Sequence, residues 1–350
     1  GLTLVDGQFI YIRGLGERYS STLVNGANVP SPDPTRKVVP LDLFPTGVIE
    51  SILVQKGYSP DMPGDFGGGV VEIRTRGIPE EDFFSLGLSL GYREGTTFDE
   101  GLSYRGGDRD WTGFDNGTRQ LPALIAEATA DGRRLPGVES FFNPDGISEE
   151  ELEALGESFP NIYDIEEKTL PPDTGVSIEG GKLFAFGNDL SAGVTGSVLW
   201  DDSWRARTEE RRSFVPRGDG SLRRNDDYTI ERTTRTIGLS GFLTGGVNYA
   251  DLHSIDLTAM LLRQTEDETS RQIGFNLDED GIIKINELEW QERQLISYQA
   301  EGRHVFPFLA STRLEWDFSD SVAGLETPDQ RRYRFDPDPV SEFIFSRRAD

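Results

Sequence analysis

From about residue 83 onward the chain alternates apolar and polar residues with a period of two, and this feature most narrows the folds open to it. Successive side chains of a strand point to opposite faces, so such a run gives each strand one greasy and one wet side. Phe84, Leu86, Leu88, Leu90 and Tyr92 share one face. The same pattern recurs in Val176, Ile178, Phe184 and Phe186, then in Leu190, Ala192, Val194, Val198 and Trp200. Ile237, Leu239 and Leu243 follow, and after them Ile255, Leu257, Ala259 and Leu261. Ile296, Tyr298 and Ala300 make a sixth set, and Leu314, Trp316 and Phe318 a seventh. The opposite faces are assigned Ser85, Glu179, Arg235, Asp256, Arg293, Glu301, Arg303, Arg313, Glu315 and Asp317. Strands of an ordinary sandwich average only about 5–6 residues. Several segments here run longer, which suits strands crossing a bilayer at a tilt. No apolar run reaches the roughly 18 residues of a membrane-spanning helix, so that route across a membrane is excluded while a barrel is not.

The connections sharpen the expectation. Gly187-Asn188-Asp189, Asn248-Tyr249-Ala250-Asp251 and Val305-Phe306-Pro307-Phe308 are short. Between them lie long polar excursions at roughly 93–174, 208–228, 264–288 and 320–341. Alternating short and long links are expected of an up-and-down membrane barrel, with tight turns at one rim and large loops at the other. The excursion at 93–174 is too long to lack structure of its own. Pro122 to Ala130 reads as a helix, and Ser148-Glu149-Glu150-Glu151 as a capping box opening a second one. Residues 99–170 hold 17 Asp+Glu and 6 Lys+Arg, a local net charge of -11.

Residues 1–80 follow another regime. Phe9 to Arg13 is β-prone, and Thr22-Leu23-Val24 runs into Asn25-Gly26, a tight-turn signal. Pro30, Pro32 and Pro34 deny their segment backbone donors, so it must be a loop. Asp42-Leu43-Phe44-Pro45 opens a short helical turn, Ile49 to Val54 forms a strand, and Gly67-Gly68-Gly69 leads into a last strand, Val70 to Thr75. The chain begins Gly1-Leu2-Thr3 and stops just after Phe345, which leads us to expect an internal piece of a longer protein.

Composition removes several functions. There is no cysteine, which excludes disulfide scaffolds and Cys-ligated metals. Lys+Arg number 35 against 61 Asp+Glu, a net charge of -26, so a phosphate-tracking nucleic-acid partner is not expected. The two histidines, His253 and His304, lie near short turns and lack the nucleophile-elbow setting of a triad, so we read them as turn-proximal or lumen-facing polar residues. Gly14-Leu15-Gly16 lacks the third glycine of a dinucleotide fingerprint. Asn276 to Gly281 and Asp336-Pro337-Asp338 offer oxygens to calcium but do not follow the EF-hand pattern. No catalytic residue, metal ligand or cofactor is assigned.

An ordered series of short segments in residues 1–80 resembles the C-terminal part of the plug domain of TonB-dependent outer-membrane receptors. It runs through Ile12-Arg13-Gly14-Leu15-Gly16, Thr22-Leu23-Val24-Asn25-Gly26, Leu41-Asp42-Leu43-Phe44-Pro45, Ile49-Glu50-Ser51-Ile52, Lys56-Gly57 and Asp61-Met62-Pro63. It ends in Gly67-Gly68-Gly69-Val70-Val71-Glu72-Ile73-Arg74-Thr75. The stretch Asp110 to Gly117, with Arg119 and Leu121-Pro122, is similar to a segment of one large subgroup of these receptors.

The resemblance implies a mixed α/β plug at 1–80, followed at 81–350 by the N-terminal part of an antiparallel transmembrane β-barrel. About the first seven strands of a 22-stranded barrel would be present, with 93–174 as a long acidic extracellular loop. The implied function is TonB-dependent import of a scarce nutrient (siderophore, cobalamin, glycan or peptide) across the bacterial outer membrane, without enzymatic chemistry. The alternatives are an outer-membrane surface receptor, adhesin or structural barrel without import, and, against the resemblance, a soluble calcium-dependent β-rich hydrolase. Implied partners are TonB, through an N-terminal box outside this sequence, outer-membrane lipid and lipopolysaccharide, and the substrate. Two plug loops would face that substrate and match Val29 to Lys37 and Tyr58 to Phe66, with Arg36, Lys37, Tyr58 and Asp65 as substrate-facing residues. Arg13, Gly14, Asn25, Gly26, Gly67, Gly68 and Gly69 form the structural plug motif, the glycines allowing close backbone approach and positive φ. Trp200 and Tyr92 suit an interfacial aromatic girdle.

Overall fold

The computed structural model describes residues 2–5, 9–12, 20–33, 39, 44, 48–59, 62, 68–139, 143–160, 162–338 and 342–349. Two parts are distinct. The first contains β1 (Leu2–Val5) and β2 (Phe9–Ile12), an antiparallel pair, then β3 (Ser20–Val24), β4 (Ala27–Asn28), β5 (Ile49–Gln55) and β6 (Gly69–Thr75). The last four form one sheet in the order β4-β3-β6-β5, with β3 and β6 parallel and the other pairs antiparallel. Asn25 (φ 53) and Gly26 (φ 81) supply the two positive φ values of the tight β3–β4 turn, as the Asn-Gly pair requires. At Gly69 a Cβ would stand 2.5 Å from Ile12 Cδ1 and 2.9 Å from the Gln55 carbonyl, so that glycine is set by crowding.

The second part begins with β7 (Phe83–Gly91) and continues through β8 (Glu100–Ser103), α1 (Ala123–Ala128), α2 (Glu149–Glu157) and β9 (Glu166–Thr169). It then runs through β10 (Asp173–Phe186), β11 (Leu190–Pro216), β12 (Leu222–Tyr249), β13 (His253–Asn276), β14 (Gly281–Phe306), β15 (Thr312–Asp338) and β16 (Glu342–Ala349). β7 and β10–β16 make one eight-stranded antiparallel meander, one strand more than the seven apolar sets suggested. No described helix is long and apolar enough to cross a membrane.

Three of the four expected long links do not exist as loops. Residues 208–228, 264–288 and 320–341 consist mostly of strand: β11–β15 run 24 to 28 residues each, and the turns joining them are short at both ends. Their polarity on both faces concealed them. Cross-strand charge pairs carry the extensions: Arg235–Asp202 (2.7 Å), Arg293–Glu266 (2.6 Å), Arg271–Glu231 (2.8 Å) and Arg332–Glu287 (3.0 Å). Arg271–Glu231 and Arg332–Glu287 stand directly across their ladders and the other two on the diagonal; such pairs contribute little singly, but together they favour this register over its neighbours.

The sheet has two unlike faces. On the outward one, Phe84, Leu86, Leu88, Leu90, Ile178, Val198, Leu243, Leu257 and Phe318 are all exposed. On the inward one, Phe242, Met260, Leu262 and Leu295 are buried in a single core with Ile12, Val24, Val29, Val39, Phe44, Val71 and Ile73 of the first part. The Phe44 and Phe242 rings lie 6.3 Å apart. The apolar stripe on β11 spans Leu190 to Trp200, about the 9–11 residues of a tilted membrane strand. Arg235 is a correction: in the unbroken β12 it shares a face with Ile237 and Leu243, and it lies above the apolar band rather than opposite it.

Of the two readings given for His253 and His304, the turn-proximal one holds, and both lie on the outward face. They pair across β13 and β14 with Nδ1 atoms 3.3 Å apart, and Trp316 Nε1 donates to His304 Nε2 at 3.1 Å. That donation makes Nε2 an acceptor and so places the His304 proton on Nδ1, facing His253. With Tyr249, Phe306 and Phe308 they form an aromatic cluster at the short-turn rim. Trp200 and the exposed Tyr92 lie at the far edge of the band.

Lys182 stands on the outward face opposite Val194, paired with Asp82 at 2.8 Å, so a charge is already accommodated beside Val194. Val198, opposite Ile178, is the sharper probe of facing. A lysine on a lipid-facing position costs up to about 2–4 kcal/mol, most at the bilayer midplane. Val198→Lys should therefore hinder assembly of the full-length protein into a lipid bilayer, read as loss of the heat-modifiable band. Glu179→Lys, one register step away on the inward face, should leave that band in place; equal assembly of the two variants would refute the facing.

Candidate functional site

Two sets of side chains join separate parts of the fold. The first is the seam between the β3–β4 turn and the inner face of β14. The Asn25 amide Nδ2 donates to Gln299 Oε1 at 3.0 Å, and Gln299 Nε2 donates to the Val24 carbonyl at 3.0 Å. Asn25 is held in turn by β6: its Oδ1 accepts from the Thr75 backbone N at 2.8 Å, and its backbone N donates to the Ile73 carbonyl at 2.9 Å. A further tie runs from Thr195 Oγ1 to the Gly77 carbonyl at 3.3 Å. Gln299 was not singled out from the sequence. The signal was present, because Tyr298 and Ala300 on either side belong to an outward stripe and therefore place Gln299 inward.

Beside this seam lies a cavity of about 270 Å³, lined by Asn25 and Gly26 on one side and by Ser254, Asp256, Glu301, Arg303, Glu315 and Asp317 on the other. Asp256, Glu301 and Asp317 are consecutive register partners on three adjacent strands. Arg303 reaches Glu315 at 3.3 Å. The wall below the turn is thus acidic on balance, and it attracts cationic groups entering the gap by Coulomb's law.

The residues expected to face a substrate are only partly placed. Tyr58 follows β5 and is 62% exposed, in a turn where Gln55 Nε2 donates to Ser59 Oγ at 2.9 Å. Arg36, Lys37 and Asp65 lie outside the described residues, as do Arg13, Gly14, Gly67 and the helical turn expected at 42–45 apart from the buried Phe44. Gly68 and Gly69 are buried at the start of β6. Among the described residues no group of three or more His, Cys, Asp or Glu converges as a metal site. In the acidic turn after β13, Glu279 is engaged by Arg334, whose Nη2 lies 2.8 Å away and whose Nε also reaches Asp336 at 2.8 Å.

The second set holds the excursion between β7 and β10 against the outward face of β12–β15, above the apolar band. Ser148 caps α2 with a full capping box. The clasp centres on Arg119, whose side chain is 2% exposed. It donates to both Asp110 oxygens (2.8 and 2.7 Å), to Asp115 Oδ1 (3.2 Å) and to the Tyr104 hydroxyl (3.0 Å), and its guanidinium lies 3.8 Å from the centre of the Trp290 ring. Arg263 Nε and Thr265 Oγ1 both donate to the Gly113 carbonyl at 2.7 Å. Gly113 (φ 74) has no room for a side chain that would not press on Thr265 and Ile237. Arg331 Nη1 donates to the Pro160 carbonyl at 2.8 Å.

Burial sets the electrostatics of the clasp. Burial works to lower the Arg119 pKa, but its bonds to Asp110 and Tyr104 hold it raised. Burial, and then the charge of Arg235, lowers Lys168. Asp267 on β13 sits among Tyr104, Arg119, Arg235 and Asp110, and its Oδ1 is sealed from solvent with no hydrogen-bond partner among the described residues. Burial pushes its carboxyl up to about 6, against the pull of Arg119 and Arg235.

Residues 5–71 match the family model of the TonB-dependent receptor plug domain. Those residues are the plug of a TonB-dependent receptor. No curated protein and no solved structure matches the chain. The plug match covers the β3–β4 turn that Gln299 grips, so the seam lies between the plug and the strand-rich remainder of the chain. The family is one of outer-membrane transport.

The raised Asp267 pKa carries a sign. The folded clasp holds its proton more tightly than the unfolded chain, so its stability is greatest near pH 4 and falls as pH rises through 6. The difference is on the order of 3 kcal/mol. Protease protection of residues 93–172 should weaken across that window, and Asp267→Asn should make it flat and high; an unchanged slope in the variant would dismiss Asp267 as the titrating group.

Proposed function

We propose that this protein imports a scarce nutrient across the bacterial outer membrane, the plug closing a β-barrel lumen until energy passed through TonB displaces it. The reciprocal pair of hydrogen bonds between Gln299 and the Asn25 turn carries this reading. It ties the plug to the inner face of a sheet whose other face is apolar and exposed. A seam made mainly of a few hydrogen bonds and one apolar patch is strong enough to hold a plug at rest. It is also divisible, because each polar link contributes only about 0.5–1.5 kcal/mol net.

In this reading the eight-stranded meander belongs to a larger closed barrel of 22 strands, a size that holds a plug in its lumen. The substrate is a siderophore, cobalamin, glycan or peptide, met by Arg36, Lys37, Tyr58 and Asp65 on the two plug loops. It undergoes no covalent change. The acidic wall around Asp256, Glu301 and Asp317 favours cationic or neutral cargo over strongly anionic cargo. Outer-membrane lipid surrounds the sheet, and TonB is the energy-coupling partner.

The chain has no cysteine, which permits a direct test. Asn25→Cys with Gln299→Cys, joined by a short bifunctional thiol reagent, should abolish TonB-dependent uptake in a gene-deleted strain while surface binding persists. A reducible linker should restore uptake on cleavage. Undiminished uptake with the link intact would sink plug movement as the gate, and binding without uptake in every state would favour a receptor or adhesin.

A further inference from the structure

The turn Asp110–Phe114 of the excursion rests on the outward face just above the apolar band. Trp200, the last residue of the β11 stripe, donates its Nε1 to the Trp111 carbonyl at 2.9 Å, and the two indole rings meet edge to face at 6.3 Å. Phe114 lies 3.9 Å beneath the Arg263 guanidinium, two residues beyond Leu261 on β13. Although anchored this way, Trp111 remains 58% exposed and Phe114 40%. Arg109, next to them, is exposed and has no ion-pair partner among the described residues. Directly below, Gly241 leaves a shallow groove of about 370 Å³ in the outward face, walled by Val198, Leu243, Leu261, Ile296 and Tyr298.

We propose that this turn is a membrane anchor. Trp111 and Phe114 sit in the outer-leaflet interface of the surrounding bilayer, Arg109 meets lipid phosphate, and the groove at Gly241 takes a hydrocarbon chain of the same lipid. The occupant follows from continuity. The aromatic pair extends, without a break, a face already apolar along β11–β14, and indole rings favour the level where hydrocarbon gives way to headgroups. The excursion is consequently fixed at both ends of its turn, to the sheet by Arg119 and Arg263 and to the lipid by Trp111 and Phe114. It serves as an apron around the outside of the sheet rather than a lid over the lumen. This rests on the membrane reading above.

The test uses the full-length receptor in vesicles of phosphatidylethanolamine and phosphatidylglycerol, part of the lipid brominated near the headgroup. Trp111→Cys, Phe114→Cys, Val198→Cys and Glu149→Cys, one at a time, carry an NBD fluorophore; Glu149 is exposed at the start of α2. Brominated lipid should lower emission at 111 and 114 about twofold, as at 198, because interfacial side chains lie within reach of the acyl boundary. Position 149 should respond only to aqueous iodide. Should 111 and 114 follow 149 while 198 is quenched, the anchor is overturned and the membrane reading stands. Should 198 also escape quenching, both fall.

Discussion

One constraint governs this molecule: a broad antiparallel sheet with period-two patterning has two faces, and the inner one cannot be left bare. Phe242, Met260, Leu262 and Leu295 point inward from three adjacent strands, and uncovered they would form a bare apolar patch. The plug covers them with Ile12, Val24, Val71 and Ile73. The dependence is mutual, because the plug sheet has only four strands and two of them are short. A sheet of that size has little core of its own, and its apolar residues share one core with those four side chains of the wall.

Above the apolar band the same strands continue on different physics. There the ladders are held by hydrogen bonding and by opposite charges paired across them, directly in Arg271–Glu231 and diagonally in Arg235–Asp202 and Arg293–Glu266, beside a smaller buried cluster of Tyr228, Ile230, Ile283 and Ile285. Such strands need no lipid and no plug on either side. They offer their outward face to the excursion. Trp290, fully buried on that face, is the platform on which Arg119 stacks.

Much of this was legible in residue order. The Asn25-Gly26 turn, the capping box at Ser148 and the apolar stripes each rest on a local rule strong enough to survive any tertiary context. The charged extensions were not legible, because Thr, Arg and Glu on both faces of β11 and β12 look the same in a loop as in a strand solvated on both sides. Arg235 was misplaced for a related reason: polarity was equated with the inner face, whereas the outward face is polar too once it rises above the band and meets the excursion. The inward position of Gln299 follows from its neighbours, but its partner lies 274 residues away and no local pattern points to it.

The clasp raises the question of why a chain would bury charge to fasten a loop. Taking Arg119, Asp110 and Asp115 out of water is costly, and well-packed apolar residues could match or exceed the net stability. An apolar pad, however, could slide along a long flat ladder, because successive outward positions offer similar surfaces. The guanidinium fork accepts one geometry: two oxygens of Asp110, one of Asp115, the Tyr104 hydroxyl and the Trp290 face. Displacement by a single register pair would leave a buried charge unpaired, at a cost well above that of the correct fit. Position along the strands is therefore what the ionic centre secures. The sealed oxygen of Asp267 is an acceptor in that centre left unfilled among the described residues, and a proton is the smallest thing that can fill it.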